Sequence, residues 1–221
     1  MSYGIQAELW GPYALFTRPE TKAERVSYDV LTPSAARGIL ESIFWHPGLV
    51  YRIDAIHVLN PIRFTNIRRN EVKSKASAKD ALSVMRGGAK PLGLYAQEEI
   101  LQRAAMVLTD VHYVVDAHFE MTDKAAPSDN PGKFKDILTR RLEKGQCYHQ
   151  PCFGTREFPA GFRLWTDGEI PVPEEYQGLS CELGLMLYDM DYSDPKHITP
   201  MFFRAVMKNG TVQVAGEEVF R

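Results

Sequence analysis

Thr32-Pro33-Ser34-Ala35-Ala36-Arg37-Gly38-Ile39-Leu40-Glu41-Ser42-Ile43-Phe44-Trp45-His46-Pro47-Gly48 decides how the rest of this chain is read. The Thr32 hydroxyl can accept from the orphan N–H groups of a first helical turn, and Pro33 falls at the first helical position, where its missing donor costs nothing. Ala36, Ile39, Leu40, Ile43 and Phe44 recur at three- and four-residue spacing as one apolar stripe, and Pro47-Gly48 is expected to end the helix two or three residues after Phe44. The prediction is one short amphipathic helix. Phe44, Trp45 and His46 then stand together where the chain turns, either as packing beside a surface imidazole or as a place for chemistry.

Upstream, residues 4–10 alternate Ile5, Ala7 and Leu9 with Gln6, Glu8 and Trp10, the period of a half-buried strand. A polar connection carrying Arg18, Lys22 and Arg25 leads from it to the helix. Downstream, residues 50–59 and 62–67 read as a hairpin around Asn60-Pro61. Residues 68–93 look like an excursion from the sheet, with a short helix at 78–86. Residues 100–108 and 111–121 read as two strands around a tight turn at Thr109-Asp110. His112, Asp116 and His118 share one face of the second, but the two imidazoles would lie roughly 20 Å apart, too far for one metal ion. Residues 133–144 place Phe134, Ile137, Leu138 and Leu142 on one side of a second helix, stopped by Gly145.

Residues 151–165 supply a last strand, so the order is that of a ferredoxin-like plait, as in RNA-recognition modules. Beyond Thr166 the chain is β-rich, with Asn209-Gly210 as a hairpin turn. The expected fold is α+β: a ferredoxin-like (RRM-like) domain over 1–166 with a basic insertion near 68–93, then a small antiparallel β-rich appendage over 167–221.

A hydrophobic content of 44% and a charged content of 24% exclude a disordered or fibrous chain. The first residues lack the pattern of a secretory signal and no apolar run reaches membrane-spanning length, so a cytoplasmic protein without membrane association is expected. Cys147, Cys152 and Cys181 have neither zinc nor redox spacing and are read as reduced and structural. The net charge of −2 hides a segregation along the chain. Residues 63–90 hold eight basic and two acidic side chains, whereas residues 174–194 hold six acidic and no basic ones. The first region suits a polyanion unless it is merely a solvated loop; the second should face away from one.

Four segments together carry a family resemblance: residues 8–19 (Glu-Leu-Trp-Gly-Pro-Tyr-Ala-Leu-Phe-Thr-Arg-Pro), the capped helix, residues 110–119 (Asp-Val-His-Tyr-Val-Val-Asp-Ala-His-Phe) and residues 153–160 (Phe-Gly-Thr-Arg-Glu-Phe-Pro-Ala). In this order they resemble CRISPR-associated proteins of the RAMP superfamily, specifically the Cas family five proteins of subtype I-C. The resemblance implies an endoribonuclease that cuts precursor CRISPR RNA at the base of the repeat hairpin by 2′-OH attack, with no metal or other cofactor. It also implies that the protein then stays on the 5′ handle as a subunit of the interference complex. The implied partners are the repeat RNA, other CRISPR-associated subunits and double-stranded DNA.

The family's catalytic groups are a Tyr near the end of the first helix and a Lys-His pair opening the second. Lys133 matches the Lys, but Phe44 stands at the Tyr position and Phe134 at the His position. Neither ring can transfer a proton, so the acid and base have moved to His46, Tyr148 or His149, or the chain is a non-catalytic RNA-binding subunit of the same complex. Arg18, Lys22, Arg25, Arg68, Arg69, Lys73 and Lys75 are the candidate phosphate contacts.

Overall fold

The computed structural model describes residues 3–21, 23–89, 92–194 and 196–221. Among the described residues, ten strands join one sheet. They are β1 (Tyr3–Ala14), β2 (Arg25–Val26), β3 (Leu49–Val58), β4 (Phe64–Val72), β5 (Ile100–Met121), β6 (Gly161–Leu164), β7 (Ser180–Asp191), β8 (Thr199–Lys208), β9 (Thr211–Gln213) and β10 (Val219–Phe220). The helices are α1 (Pro33–Ile43), α2 (Ala78–Met85) and α3 (Pro131–Lys144).

The centre of the sheet runs β3-β5-β1-β6, all antiparallel. With α1 between β1 and β3, and α3 between β5 and β6, this is the ferredoxin-like plait, its third strand being β5. Beyond β3 the sheet continues through β9 and β8 to β10, with β7 also paired to β8.

Two sequence expectations are corrected. The stretches 50–59 and 62–67 do not pair as a hairpin, because β5 takes both: β3 along Tyr113 to Met121 and β4 along Ile100 to Leu108. Nor does Thr109-Asp110 turn the chain. Asp110 takes φ +51°, a conformation that short polar side chains tolerate, and β5 passes through it as one strand of 22 residues. Pairing with β1 on both sides of Asp110, from Ala14–Leu108 to the far end at Phe119, overrides the local turn signal. Residues 64–89 and 92–108 are consequently a finger: β4 and the first half of β5 form its stem, and α2 lies beyond them.

Both flanking helices obey their local signals at the N-terminus. Thr32 Oγ1 accepts from the Ala35 N–H at 3.3 Å with Pro33 following, and Asn130 Oδ1 accepts from the Lys133 N–H at 2.8 Å with Pro131 following. α3 ends at Gly145, whose φ of +62° suits glycine. α1 ends earlier than expected, at Ile43, because Phe44 turns extended (φ −147°) and its carbonyl accepts from the buried Tyr51 hydroxyl at 2.8 Å. α1 buries Ala36, Ile39, Leu40 and Ile43 against β3 and β7; α3 buries Phe134, Leu138 and Leu142 over β1 and β6. Each large side chain so buried contributes about 1.5–3 kcal/mol.

Candidate active site and nucleic-acid interface

Where α1 ends, three segments meet. The Phe44 ring packs 5.8 Å from that of Phe134, and Phe134 in turn lies 4.8 Å from the His46 imidazole. Phe44 and Phe134 are buried, at 7% and 1% exposure, and Arg141 caps the Phe44 ring while donating to the Ile43 carbonyl. The two phenylalanines therefore form the floor of the site. Polar groups stand at its rim: Lys133 Nζ is 3.1 Å from Asp129 Oδ1, and His46 Nε2 is 3.8 Å from Asp129 Oδ2. Asp129 was not singled out in the sequence, where it sits in a turn-forming run, yet it joins the two candidates. Its side chain is only 3% exposed, and the Ala126 N–H together with Lys133 holds its carboxyl below the usual carboxylate range.

The His46 ring is oriented by its own turn: Nδ1 accepts from the Gly48 N–H at 3.0 Å. A neutral imidazole with Nδ1 as acceptor carries its proton on Nε2. That N–H faces Asp129 from beyond hydrogen-bond reach and is free to donate to another acceptor. As it stands His46 is a donor; acting as a base requires the Gly48 bond to open. Trp45 beside it is 60% exposed, a flat surface on which an unpaired base can stack.

Tyr148 and His149 are tied to the last turn of α1. Both their backbone N–H groups donate to the Ser42 carbonyl at 3.0 Å, and their rings meet edge to face at 4.4 Å. They follow the C-terminus of α3 whereas Lys133 is in its first turn, about 18 Å along the helix. His149 instead lines a cleft of about 930 Å³ between α1 and the 149–156 loop, with Thr17, Ser34, Ser42, Gln150 and Arg156 among its walls. Gly154 closes that loop onto β1's extension: at φ +83°, a Cβ on it would lie 1.9 Å from the Leu15 carbonyl oxygen.

The candidate phosphate contacts divide. Arg18 is engaged, 2.7 Å from Asp29 and over the Tyr28 ring. Arg68, Lys73 and Lys75 project from the finger without an ion-pair partner among the described residues. Arg25 and Arg69 gather around Glu71. Lys22 lies outside the described residues. His112, Asp116 and His118 do not form one cluster: His112 pairs with Glu8, Asp116 with His57, and His118 with Asp54.

A family model described as CRISPR-associated protein (Cas_Cas5) matches residues 4–215. The chain belongs to the Cas5d family. Among Cas5d relatives, one from Mannheimia succiniciproducens, named CRISPR pre-crRNA endoribonuclease Cas5d, is 47% identical over the whole of both chains. One of the same name from Thermus thermophilus is 38% identical, covering 97% of this chain and 92% of its own. Among solved structures, a CRISPR-associated protein superposes with a TM-score of 0.70 at 22% identity, covering 99% of this chain and 96% of its own. A functionally uncharacterized protein from Streptococcus mutans gives 0.69 at 24% identity, covering 99% and 97%. These two likenesses bear on the fold.

Proposed function

We propose that this Cas5d-family protein is a metal-independent endoribonuclease. It cleaves precursor CRISPR RNA at the base of the repeat hairpin and stays on the 5′ handle as a subunit of the type I-C interference complex. The observation that carries this reading is the 47% identity, end to end, with a relative named as a pre-crRNA endoribonuclease. The partners are repeat RNA and other CRISPR-associated subunits. The unpaired cations of the finger would also suit double-stranded DNA, and a precursor-RNA substrate supports the reading of a cytoplasmic protein. Among the described residues no helix is long and apolar enough to cross a membrane.

The chemistry is attack of the 2′-oxygen on the adjacent phosphorus with loss of the 2′ proton to water, then departure of the 5′-oxygen, which takes a proton from water. A 2′,3′-cyclic phosphate and a 5′-hydroxyl result. Lys133 supplies a cation for the charge that builds on the phosphorane, steered by Asp129. His46 Nε2–H supplies a second donor to the same oxygens, with its ring fixed by Gly48. One such donor is worth about 10² to 10³ in rate. With Phe44 and Phe134 inert, catalysis rests on positioning and electrostatics rather than on a dedicated acid–base pair.

A second reading, a non-catalytic subunit that caps the handle, is favoured by one observation: both family proton-transfer positions are buried phenyl rings. A synthetic repeat hairpin incubated with the protein in EDTA separates the two. Cleavage that a single 2′-deoxy nucleotide at the scissile position abolishes establishes the enzyme; an uncut but tightly bound hairpin establishes the second reading.

A further inference from the structure

We propose that Arg25, Arg69 and Arg103 form a binding site for one backbone phosphate of the repeat RNA's single-stranded flank, with Glu71 holding the phosphate's place in the free protein. This rests on the reading that the chain binds repeat RNA, and it adds Arg103, which the sequence did not single out.

The site is built at the stem of the finger, where β2, β4 and β5 lie side by side. Arg69 and Arg103 are direct cross-strand partners, and Arg25 is in register with Ala105, two residues further along β5. Like charges placed directly opposite destabilise a sheet. Three guanidinium groups converge on one carboxylate: Arg103 Nε at 3.3 Å, Arg25 Nη2 at 3.7 Å and Arg69 Nη2 at 4.0 Å from Glu71 oxygens. These are loose ion pairs, and none of them is a hydrogen bond.

The donors are correspondingly unused. Each guanidinium offers five N–H groups. The side-chain hydrogen bonds of the three among the described residues are Arg69 to Glu157 and Arg103 to the Ala23 carbonyl. Arg69 Nε is buried with no hydrogen-bond partner among the described residues. The four side chains are 21–36% exposed, so the arginines are held in place while one side of the cluster stays open. Counting Glu157, three cations face two anions. A neutral structural network would leave neither surplus charge nor an orphaned Nε, whereas a phosphodiester's two free oxygens can take guanidinium forks in place of the single carboxylate.

The location fits a flank rather than the scissile bond. Arg103 and Phe119, which lies beneath Phe134, are separated by about 50 Å of strand. Glu157, on Arg69, is the neighbour of Arg156, which lines the cleft together with His149 and with Ser42 of the last turn of α1. Single-stranded RNA leaving the catalytic turn through the cleft arrives at the arginines.

The test measures binding of fluorescent repeat RNA, with and without its 5′ flank, across a salt series. Arg25→Ala and Arg103→Ala should each weaken binding of the full repeat about tenfold and reduce the slope of log affinity against log salt by about 1, with no comparable loss for the hairpin alone. In cleavage the loss should fall in KM rather than kcat. Glu71→Gln, which removes the competing anion, should tighten binding of the full repeat about threefold. Unchanged affinity and slope in the arginine variants overturn the proposal, and so does a loss of affinity for a protein subunit in place of RNA. Weaker binding by Glu71→Gln also overturns it, because the cluster would then be structural. Wild-type protein that fails to bind repeat RNA at all refutes the functional reading itself, a result distinct from any of these.

Discussion

Replacing Lys133 by alanine isolates the electrostatic contribution at the proposed catalytic turn. Lys133 Nζ lies 3.1 Å from Asp129, its side chain is 47% exposed, and its backbone N–H, which the substitution keeps, bonds to Asn130. Folding should change little, because Lys133 is about half exposed and Asp129 keeps the Ala126 N–H as a partner, so the pair is worth about 0–1 kcal/mol. The transition state is affected more. A cation about 4 Å from a phosphorane oxygen gains about 4 kcal/mol per unit charge at an effective dielectric near 20, and Asp129, held on the far side of the ammonium, cancels part of it. A net loss of about 3 kcal/mol corresponds to a fall in rate on the order of a hundredfold. The assay is single-turnover cleavage of the repeat hairpin in EDTA at saturating protein, with thermal melts as the folding control. Lys133→Arg should recover most of the rate. A folded Lys133→Ala protein that cuts within about threefold of wild type refutes the assignment.

The role of His46 is separable by two substitutions: His46→Ala should lose about 10²-fold in cleavage rate, while His46→Gln, which keeps an N–H donor, should retain much of it. Equal losses would mean that the ring transfers a proton instead. Arg37 holds α1 to β7 through a fork onto Asp189, with Nε and Nη2 at 2.7 and 2.8 Å, and pairs with Glu41 as well. Arg37→Ala should destabilise the fold by about 2–3 kcal/mol in urea unfolding, and a change below about 0.5 kcal/mol would contradict this. Glu8 is buried, which pushes its carboxyl up, but Arg163 and His112 outweigh burial and hold it below the ordinary value. A carboxylate depressed in the folded state adds stability that is present above its unfolded pKa near 4 and is lost as pH falls through the folded value. Stability should therefore fall below about pH 5, and Glu8→Gln should flatten that limb of the profile.

The helices were legible because their signals are local: Thr32-Pro33 and Asn130-Pro131 bond within their own first turns. The strands misled where partners are distant. Asn60-Pro61 suggests a hairpin, but β5, more than forty residues on from β3, outcompetes β4 for pairing with it. Thr109-Asp110 has turn chemistry that β1 overrides by pairing straight across it. At the site, Lys133 and His46 were visible as residue types in suggestive places. Asp129 was not, since its meaning depends on a loop closing onto the end of another helix. Arg103 read as an ordinary strand residue; only the register that sets it opposite Arg69 gives it significance.

The unbroken run of β5 makes platform and finger two ends of one lever, with no joint between them except the bend at Asp110. Length changes in its first half, if β4 followed, would act in steps of two. A two-residue insertion would carry the finger about 7 Å outward with its faces preserved, whereas a single residue would turn the arginine-bearing face over. The reach of the finger is thus quantised by the pleat.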